Sequence, residues 1–222
     1  MLVSIITPLG RSKEKLQVVE KALKRQSFKD YEWLIEERQE PLAQGKYWDV
    51  YAGYNRMVKR AKGELLISWQ DSTFAKSDTL EKFVYHYQQE PKTIVSAVGN
   101  KYSDDSWTVK TWQDPRERDD QGSYYYVNHP DIELNLCSLP KQAIYDVGGF
   151  DETLDYYSSL CGLDVLQRLW LQGGWKFALD QTIKSFSLEH GRLKGWDENT
   201  PFKGAWEKKC EEYQNNAKLN YL

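Results

Sequence analysis

Apolar positions along the chain change period again and again, and each change marks an element. Leu2-Val3-Ser4-Ile5-Ile6 is a short β-branched run ending at Thr7-Pro8-Leu9-Gly10, the pattern of a buried strand entering a turn. Ser12 can cap a helix carrying Leu16, Val19 and Leu23 on one side. Tyr31 to Ile35 reads as a second strand that runs into Glu36-Glu37-Arg38. Val50, Tyr54, Met57 and Ala61 recur at helical spacing, and Gly63 stops that helix. Glu64 to Trp69 reads as a third strand ending at Gln70-Asp71-Ser72. The next helix turns Leu80, Phe83, Val84 and Tyr87 inward, with Asp78 and Glu81 as a capping-box-like start. On it, His86 is placed on an exposed face as a structural residue. Thr93 to Val98 is a fourth strand.

Strand and helix alternating over the first hundred residues predict a mostly parallel sheet covered on both faces. Ligands on such sheets bind outside the carboxyl ends of the strands. Thr7-Pro8, Glu36-Glu37-Arg38 and Gln70-Asp71-Ser72 are therefore expected to converge on one crevice.

The second half reads differently. Lys101 to Gly122 is polar, with one strand expected over Trp107 to Trp112, and suits a solvated excursion or a substrate-binding loop equally. Tyr124 to Val127 reads as a strand, Pro140 starts a short helix that ends at Gly148-Gly149, and Leu163, Leu166, Leu169 and Trp170 make a helix face closed by Gly173-Gly174. Trp175 to Leu179 and Thr182 to Phe186 are expected to form a small antiparallel pair turning at Asp180-Gln181. Thr200-Pro201 can open a last helix with Trp206, Cys210, Tyr213 and Ala217 in one stripe. With no repeat or linker in 222 residues, the expected organisation is one α/β domain over 1–222. A mostly parallel central sheet is flanked by helices, with a small antiparallel element in the C-terminal half.

Composition narrows the function. A net charge of -3 disfavours holding a nucleic-acid backbone by bulk electrostatics, which wants a basic surface. The 15 Tyr, 9 Trp and 7 Phe are mostly core and rim, but some can stack on a flat base or sugar face. Trp69 is read as core and Trp112 as an acceptor platform. Cys137, Cys161 and Cys210 form no metal-binding or disulfide spacing, so a reducing, cytoplasmic location is expected. The apolar Met1 to Ile6 is followed at once by Thr7-Pro8 and basic residues, unlike a signal peptide. No stretch approaches the roughly 20 apolar residues of a membrane span.

Five segments in order resemble the glycosyltransferases of the GT-A fold, specifically the large family-2 group. They are Val3-Ser4-Ile5-Ile6-Thr7-Pro8; Tyr31 to Ile35; Asn55 followed by Ala61-Lys62-Gly63-Glu64; Gly148-Gly149-Phe150-Asp151-Glu152; and Asp164, Arg168 and Gly173. The resemblance implies a GT-A domain with a nucleotide-sugar-binding half over 1–100, an acceptor-binding and catalytic half over 101–200 and a C-terminal helix over 201–222. It further implies transfer of a hexosyl or pentosyl group from a nucleotide-diphosphate sugar, UDP-linked, to an acceptor hydroxyl with inversion. Mn²⁺ or Mg²⁺ would neutralise the departing diphosphate.

Two motifs depart from the family's pattern. Its Asp-x-Asp at the third strand end stands here as Gln70-Asp71-Ser72, leaving Asp71 as one carboxylate. Its paired Asp after the second strand stands as Glu36-Glu37-Arg38. The residues carried over as donor-binding are Thr7, Pro8, Glu37, Arg38, Asn55, Gln70 and Asp71, with Tyr54 where the family commonly has Arg. Asp71 and His190 are the expected metal ligands, with Arg192 or Lys194 as diphosphate contacts. Asp164 is the expected catalytic base, although the family's Glu-Asp pair falls on Cys161-Gly162; Asp151, Glu152 and Asp155 are in reserve. Two other readings stand beside this one. The first is a non-catalytic nucleotide- or sugar-binding module on a degenerate fold. The second, a nucleotidyltransferase, ranks below it, because a single Gly follows the first strand. The acceptor is open: a saccharide, a lipid-linked sugar, a protein or a modified base.

Overall fold

The computed structural model describes residues 1–9, 13–37, 49–120, 122–156, 163–189 and 202–222. Its strands are β1 (Val3–Leu9), β2 (Tyr31–Glu37), β3 (Leu65–Trp69), β4 (Thr73–Ala75), β5 (Thr93–Tyr102), β6 (Lys110–Trp112), β7 (Tyr124–Tyr126), β8 (Leu136–Pro140) and β9 (Lys176–Leu188). Its α-helices are α1 (Leu16–Lys24), α2 (Val50–Arg60), α3 (Thr79–Gln89), α4 (Lys141–Asp146), α5 (Leu163–Gln172) and α6 (Phe202–Asn215).

The strands form one sheet in the order β2-β1-β3-β8-β5-β9-β4, with β6 on β5 and β7 on β9. β1 is parallel to both β2 and β3, and β5 is parallel to β9. β8 runs antiparallel to both β3 and β5 between them. The carboxyl ends of β2, β1, β3, β5 and β9 therefore share one edge of the sheet, as the alternation of elements predicts.

Period-two alternation along the strands divides the core. Val3, Ile5, Leu65, Ile67 and Trp69 pack with Val19, Ala22 and Leu23 of α1 and Leu80, Phe83 and Val84 of α3. Ile6, Leu66 and Leu139 face the other way, onto Tyr54, Met57 and Val58 of α2, Ile144 of α4 and Leu166 and Leu169 of α5. Each such fully buried aliphatic side chain contributes about 1.5–3 kcal/mol.

Two local expectations need correction. Asp78 stands at the N-cap of α3 without a side-chain capping bond; it pairs with Lys82 at 2.8 Å instead. The expected antiparallel pair after Trp175 is one continuous strand, β9. Its pairing with β5 passes from Ala97↔Asp180 to Val98↔Lys184, so Gln181, Thr182 and Ile183 bulge out. The Asp180 carboxylate accepts from Thr182 N and Oγ1, both at 2.7 Å, which gives the bulge its turn-like sequence. The antiparallel partners of β9 are β7 and β4. His86 is also less exposed than expected. Its ring contacts Asp180 at 2.7 Å and stacks on Tyr124. No helix among the described residues is long and apolar enough to cross a membrane.

Candidate functional site at the carboxyl ends of the strands

The β1/β2 register sets Pro8 beside Glu36 and Leu9 beside Glu37, and the β1/β3 register sets Ile6 beside Ser68. Three of the segments that sequence patterning assigns to one crevice thus do meet along one edge. Asp71 lies just past β3 and is 5% exposed. The next residue, Ser72, has φ +65°, a left-handed conformation that a non-glycine residue rarely adopts. Its backbone joins two neighbours: Ser72 N donates to Lys15 O at 3.4 Å, and Leu188 N donates to Ser72 O at 3.1 Å. The Asp71-Ser72 turn is therefore clamped between the start of α1 and the end of β9.

Lys15 and Leu188 also line an open cavity of about 370 Å³, with Glu14, Lys21, Asp104, Asp105 and Glu189 among its walls. None of these residues was singled out by sequence patterning. Asp104 and Asp105 lie in the polar stretch flagged as a solvated or substrate-binding loop, the one signal pointing to them.

The other assigned residues fare differently. Thr7 is buried, and its Oγ1 accepts from Trp33 Nε1 at 2.9 Å, so its side chain braces the sheet instead of lining the pocket. Pro8, on the opposite face, is partly exposed, as is Gln70, whose N donates to Asn135 O at 2.9 Å. Glu37 ends β2 exposed. Its neighbour Glu36 is committed to Arg56 Nε and Arg60 Nη2, each at 2.5 Å. Arg38 and His190 lie outside the described residues, as do Arg192 and Lys194.

Asn55 is the first clear correction. It is 1% exposed and all its hydrogen bonds go to one turn. Nδ2 donates to Phe150 O and Glu152 Oε1, both at 2.9 Å, and Oδ1 accepts from Phe150 N at 2.8 Å. Tyr54 likewise stacks on Phe150, with its hydroxyl 2.8 Å from Ser68 Oγ. Both residues bracket the Gly148–Glu152 turn.

Asp164 is the second. Its side chain is fully buried and Oδ2 accepts from Arg168 Nη2 at 2.7 Å and from Asp151 N at 2.9 Å. Arg168 in turn donates to Val147 O and Gly149 O, both at 2.6 Å. Burial pushes the Asp164 carboxyl above the usual aspartate range, against the pull of Arg168 and the Asp151 amide. A group with no exposed atom cannot take a proton from a hydroxyl on another molecule, so Asp164 belongs to the scaffold.

Two of the reserve carboxyls are buried as well. Asp155 is 0% exposed and accepts from the backbone amides of Val50, Tyr51 and Ala52, satisfying the amino end of α2. Asp151 is 1% exposed and accepts from Thr153, Tyr213 and Tyr221. Burial raises the Asp151 carboxyl, but those bonds and Lys209 outweigh it and hold it below the usual range. Glu152 alone among them is partly exposed, with Oε1 held by Asn55.

Among the described residues no three His, Cys, Asp or Glu side chains come together as a metal cluster. A second charged cluster does lie at the same edge. Arg116 pairs with the buried Asp114 at 2.5 Å and with Glu133 at 3.2 Å, on the loop leading into β8. Sequence patterning missed it, since neither Arg116 nor Glu133 lies on a periodic element.

No protein-family model and no curated protein matches the chain. Solved structures do. S. aureus TarS in complex with UDP matches at 12% identity with a TM-score of 0.59, over 85% of this chain and 61% of that one. The same protein in complex with UDP-GlcNAc matches at 11% identity and a TM-score of 0.61, over 98% of this chain and 72% of that one. GalNAc-T7 with UDP, GalNAc and Mn²⁺ matches at 13% identity and a TM-score of 0.65, over 96% of this chain and 49% of that one. The chain thus spans about half to three quarters of the length of these structures, and shares with them a fold of the GT-A type.

Proposed function

We propose that this chain is a glycosyltransferase that moves a sugar from a UDP-linked donor to an acceptor hydroxyl with inversion, assisted by Mn²⁺ or Mg²⁺. The observation that carries the reading is the Asp71-Ser72 turn. It sets one carboxylate at the shared carboxyl edge of the co-directed strands, held between Lys15 and Leu188. In this type of sheet, that edge is where ligands bind. The bound UDP, UDP-GlcNAc and Mn²⁺ of the structural neighbours support the same class of donor.

The side chains suit a cation held lightly. Asp71 offers one carboxylate, and a Mg²⁺-like ion keeps several waters and uses one or two carboxylates together with substrate phosphates. When bound, the cation would neutralise the charge that builds on the departing diphosphate. Partly exposed Pro8 and the end of β2 at Glu37 would line the nucleoside side of the pocket. Lys15 and Lys21 line the adjoining cavity and would add positive charge near the phosphates. Residues 1–100 would form the donor half and 101–200 the acceptor half. The acceptor class is open among saccharide, lipid-linked sugar, protein and modified base. Two cysteines without disulfide partners, Cys137 and Cys210, support a reducing compartment such as the cytoplasm.

The burial of Asp164 favours a second reading, a non-catalytic module that binds nucleotide or sugar. UDP release from a panel of UDP-sugars, with and without Mn²⁺, separates the two. Turnover that needs the metal and disappears in Asp71→Asn, with the melting temperature within a few degrees of wild type, supports the enzyme. UDP binding without turnover of any donor supports the module.

A further inference from the structure

We infer that the carboxylate of Glu133 is the catalytic base, taking the proton from the hydroxyl that attacks the donor. The inference rests on the transferase reading and supplies the base that the burial of Asp164 leaves unassigned.

The placement comes from the backbone. Glu133 lies on the loop entering β8, where its N donates to Ser96 Oγ at 3.4 Å and its carbonyl accepts from Ser96 Oγ at 3.2 Å. Ser96 belongs to β5. Two residues further on, Asn135 O accepts from Gln70 N, the residue next to Asp71. Glu133 is thereby fixed next to the carboxyl end of β3, the strand end that leads to Asp71, and beside the middle of β5.

The side chain is half-buried, 44% exposed, so it keeps a face to solvent while its loop partly desolvates it. Its Oε2 accepts from Asn135 Nδ2 at 2.9 Å and lies 3.2 Å from Arg116 Nη2. Arg116 cannot swing away easily, because it is fixed on the buried Asp114 and on Asp131 O at 2.8 Å. Oε1 accepts no hydrogen bond from the described residues, which leaves it able to accept one from a hydroxyl. By contrast Asp151, Asp155 and Asp164 are at most 1% exposed, and Glu36 is committed to two arginines.

The electrostatics suit a base. Desolvation of the carboxyl by the surrounding loop and the negative charge of Asp114 raise it above the usual glutamate range, against Arg116, Lys101 and the Asn135 bond. A carboxylate so raised is a stronger base near neutral pH than an ordinary glutamate. In the step itself the acceptor O–H bond breaks and its proton passes to Glu133. The oxygen forms a bond to the anomeric carbon. The bond from that carbon to the diphosphate oxygen breaks, and its electron pair leaves with UDP.

The test uses the full chain with Mn²⁺, water as acceptor, and UDP-GlcNAc, UDP-GalNAc, UDP-glucose and UDP-galactose as donors, measuring UDP release from pH 5 to 9 and UDP affinity by calorimetry. Glu133→Gln should lose roughly a hundredfold or more of the release rate, with UDP affinity within about twofold of wild type. The wild-type rate should fall on the acid side at a pH above the ordinary glutamate value of ~4.3. That limb should vanish in Glu133→Gln and persist, at a lower rate, in Glu133→Asp. Release by Glu133→Gln at the wild-type rate, or with the acid limb unchanged, overturns the assignment and leaves the transferase standing. A wild type that releases UDP from none of the donors overturns the transferase reading, and this assignment with it.

Discussion

Asp164 and Arg168, one turn apart on α5, meet at 2.7 Å with neither side chain exposed to solvent. Arg168 passes the connection on to the carbonyls of Val147 and Gly149, and Asp164 passes it to the amide of Asp151. The pair is thus a pin through the turn between α4 and the 3-10 segment at Glu152–Tyr156. A catalytic base and a structural pin predict opposite results on mutation.

Asp164→Asn should therefore be mainly a stability variant. Removing one partner of a buried ion pair costs about 3–5 kcal/mol, and in a chain of this size each kcal/mol lowers the melting temperature by about 2–4 °C. Thermal unfolding should shift down by roughly 10 °C, and transfer at a temperature where the variant is folded should stay within severalfold of wild type. A hundredfold loss of turnover with an unchanged melting temperature would restore Asp164 as the base.

Gly148 should tolerate no side chain. Its φ is +72°, and an added Cβ would stand 1.5 Å from the carbonyl oxygen of Leu219. The left-handed conformation alone costs a non-glycine residue roughly 1–2 kcal/mol, and the clash forces the C-terminal segment off the turn. Gly148→Ala should express poorly or unfold well below wild type. Gly173→Ala is the control, since its Cβ would meet nothing within 4 Å. With φ +74°, it should show only the conformational cost.

The last residues should act as a strap on the same turn. Leu219 N donates to Val147 O at 2.9 Å, Tyr221 N donates to Gly148 O at 2.8 Å, and Tyr221 Oη donates to Asp151 at 3.2 Å. Tyr221→Phe removes one hydrogen bond to a charged group and should cost about 1–2 kcal/mol in urea unfolding. Removing residues 217–222 should cost clearly more, because the backbone bonds to Gly148 O and Val147 O are lost as well, leaving Val147 O with Arg168 alone. Equal stability of the full and shortened chains would remove the strap.

Stability should also fall at acid pH. For Asp114, Asp151 and Asp180, burial raises the carboxyl, but other groups outweigh it: Arg116 for Asp114; Thr153, Tyr213 and Lys209 for Asp151; and His86 with Thr182 for Asp180. All three end below the usual aspartate range. A depressed folded-state carboxyl contributes stability above its unfolded value and loses it as pH falls through the folded one. Urea midpoints should therefore vary little between pH 7 and 5 on account of these groups and drop steeply below the unfolded aspartate value of ~3.9. Midpoints that hold steady down to pH 3 would contradict these pairings.

How far the sequence speaks can be followed residue by residue. The strands and the edge where they end are legible because alternation in Val3–Ile6 and Leu65–Trp69, and helical spacing in Val50–Ala61, are local consequences of burying one face. The position of Asp71 follows from them, since it only has to come after the strand. The single strand β9 is not legible: Asp180 and Thr182 carry ordinary turn chemistry, and only pairing with β5 carries the chain straight through the bulge.

Side-chain duty depends still more on partners. Asn55, Asp155 and Asp164 are polar residues at motif spacing, which describes a ligand site and a buried latch equally well. Tertiary structure buries all three, turning Asn55 and Asp164 onto the Gly148–Glu152 turn and Asp155 onto the amino end of α2, while Glu133, on an aperiodic loop, is placed by Ser96 and by the Gln70–Asn135 bond two residues on. Period and turn chemistry are properties of neighbours in the chain, so the sequence alone determines the elements and their shared edge. Burial and hydrogen-bond satisfaction are settled between residues far apart in the chain, so only the folded protein decides which carboxylates can meet a substrate.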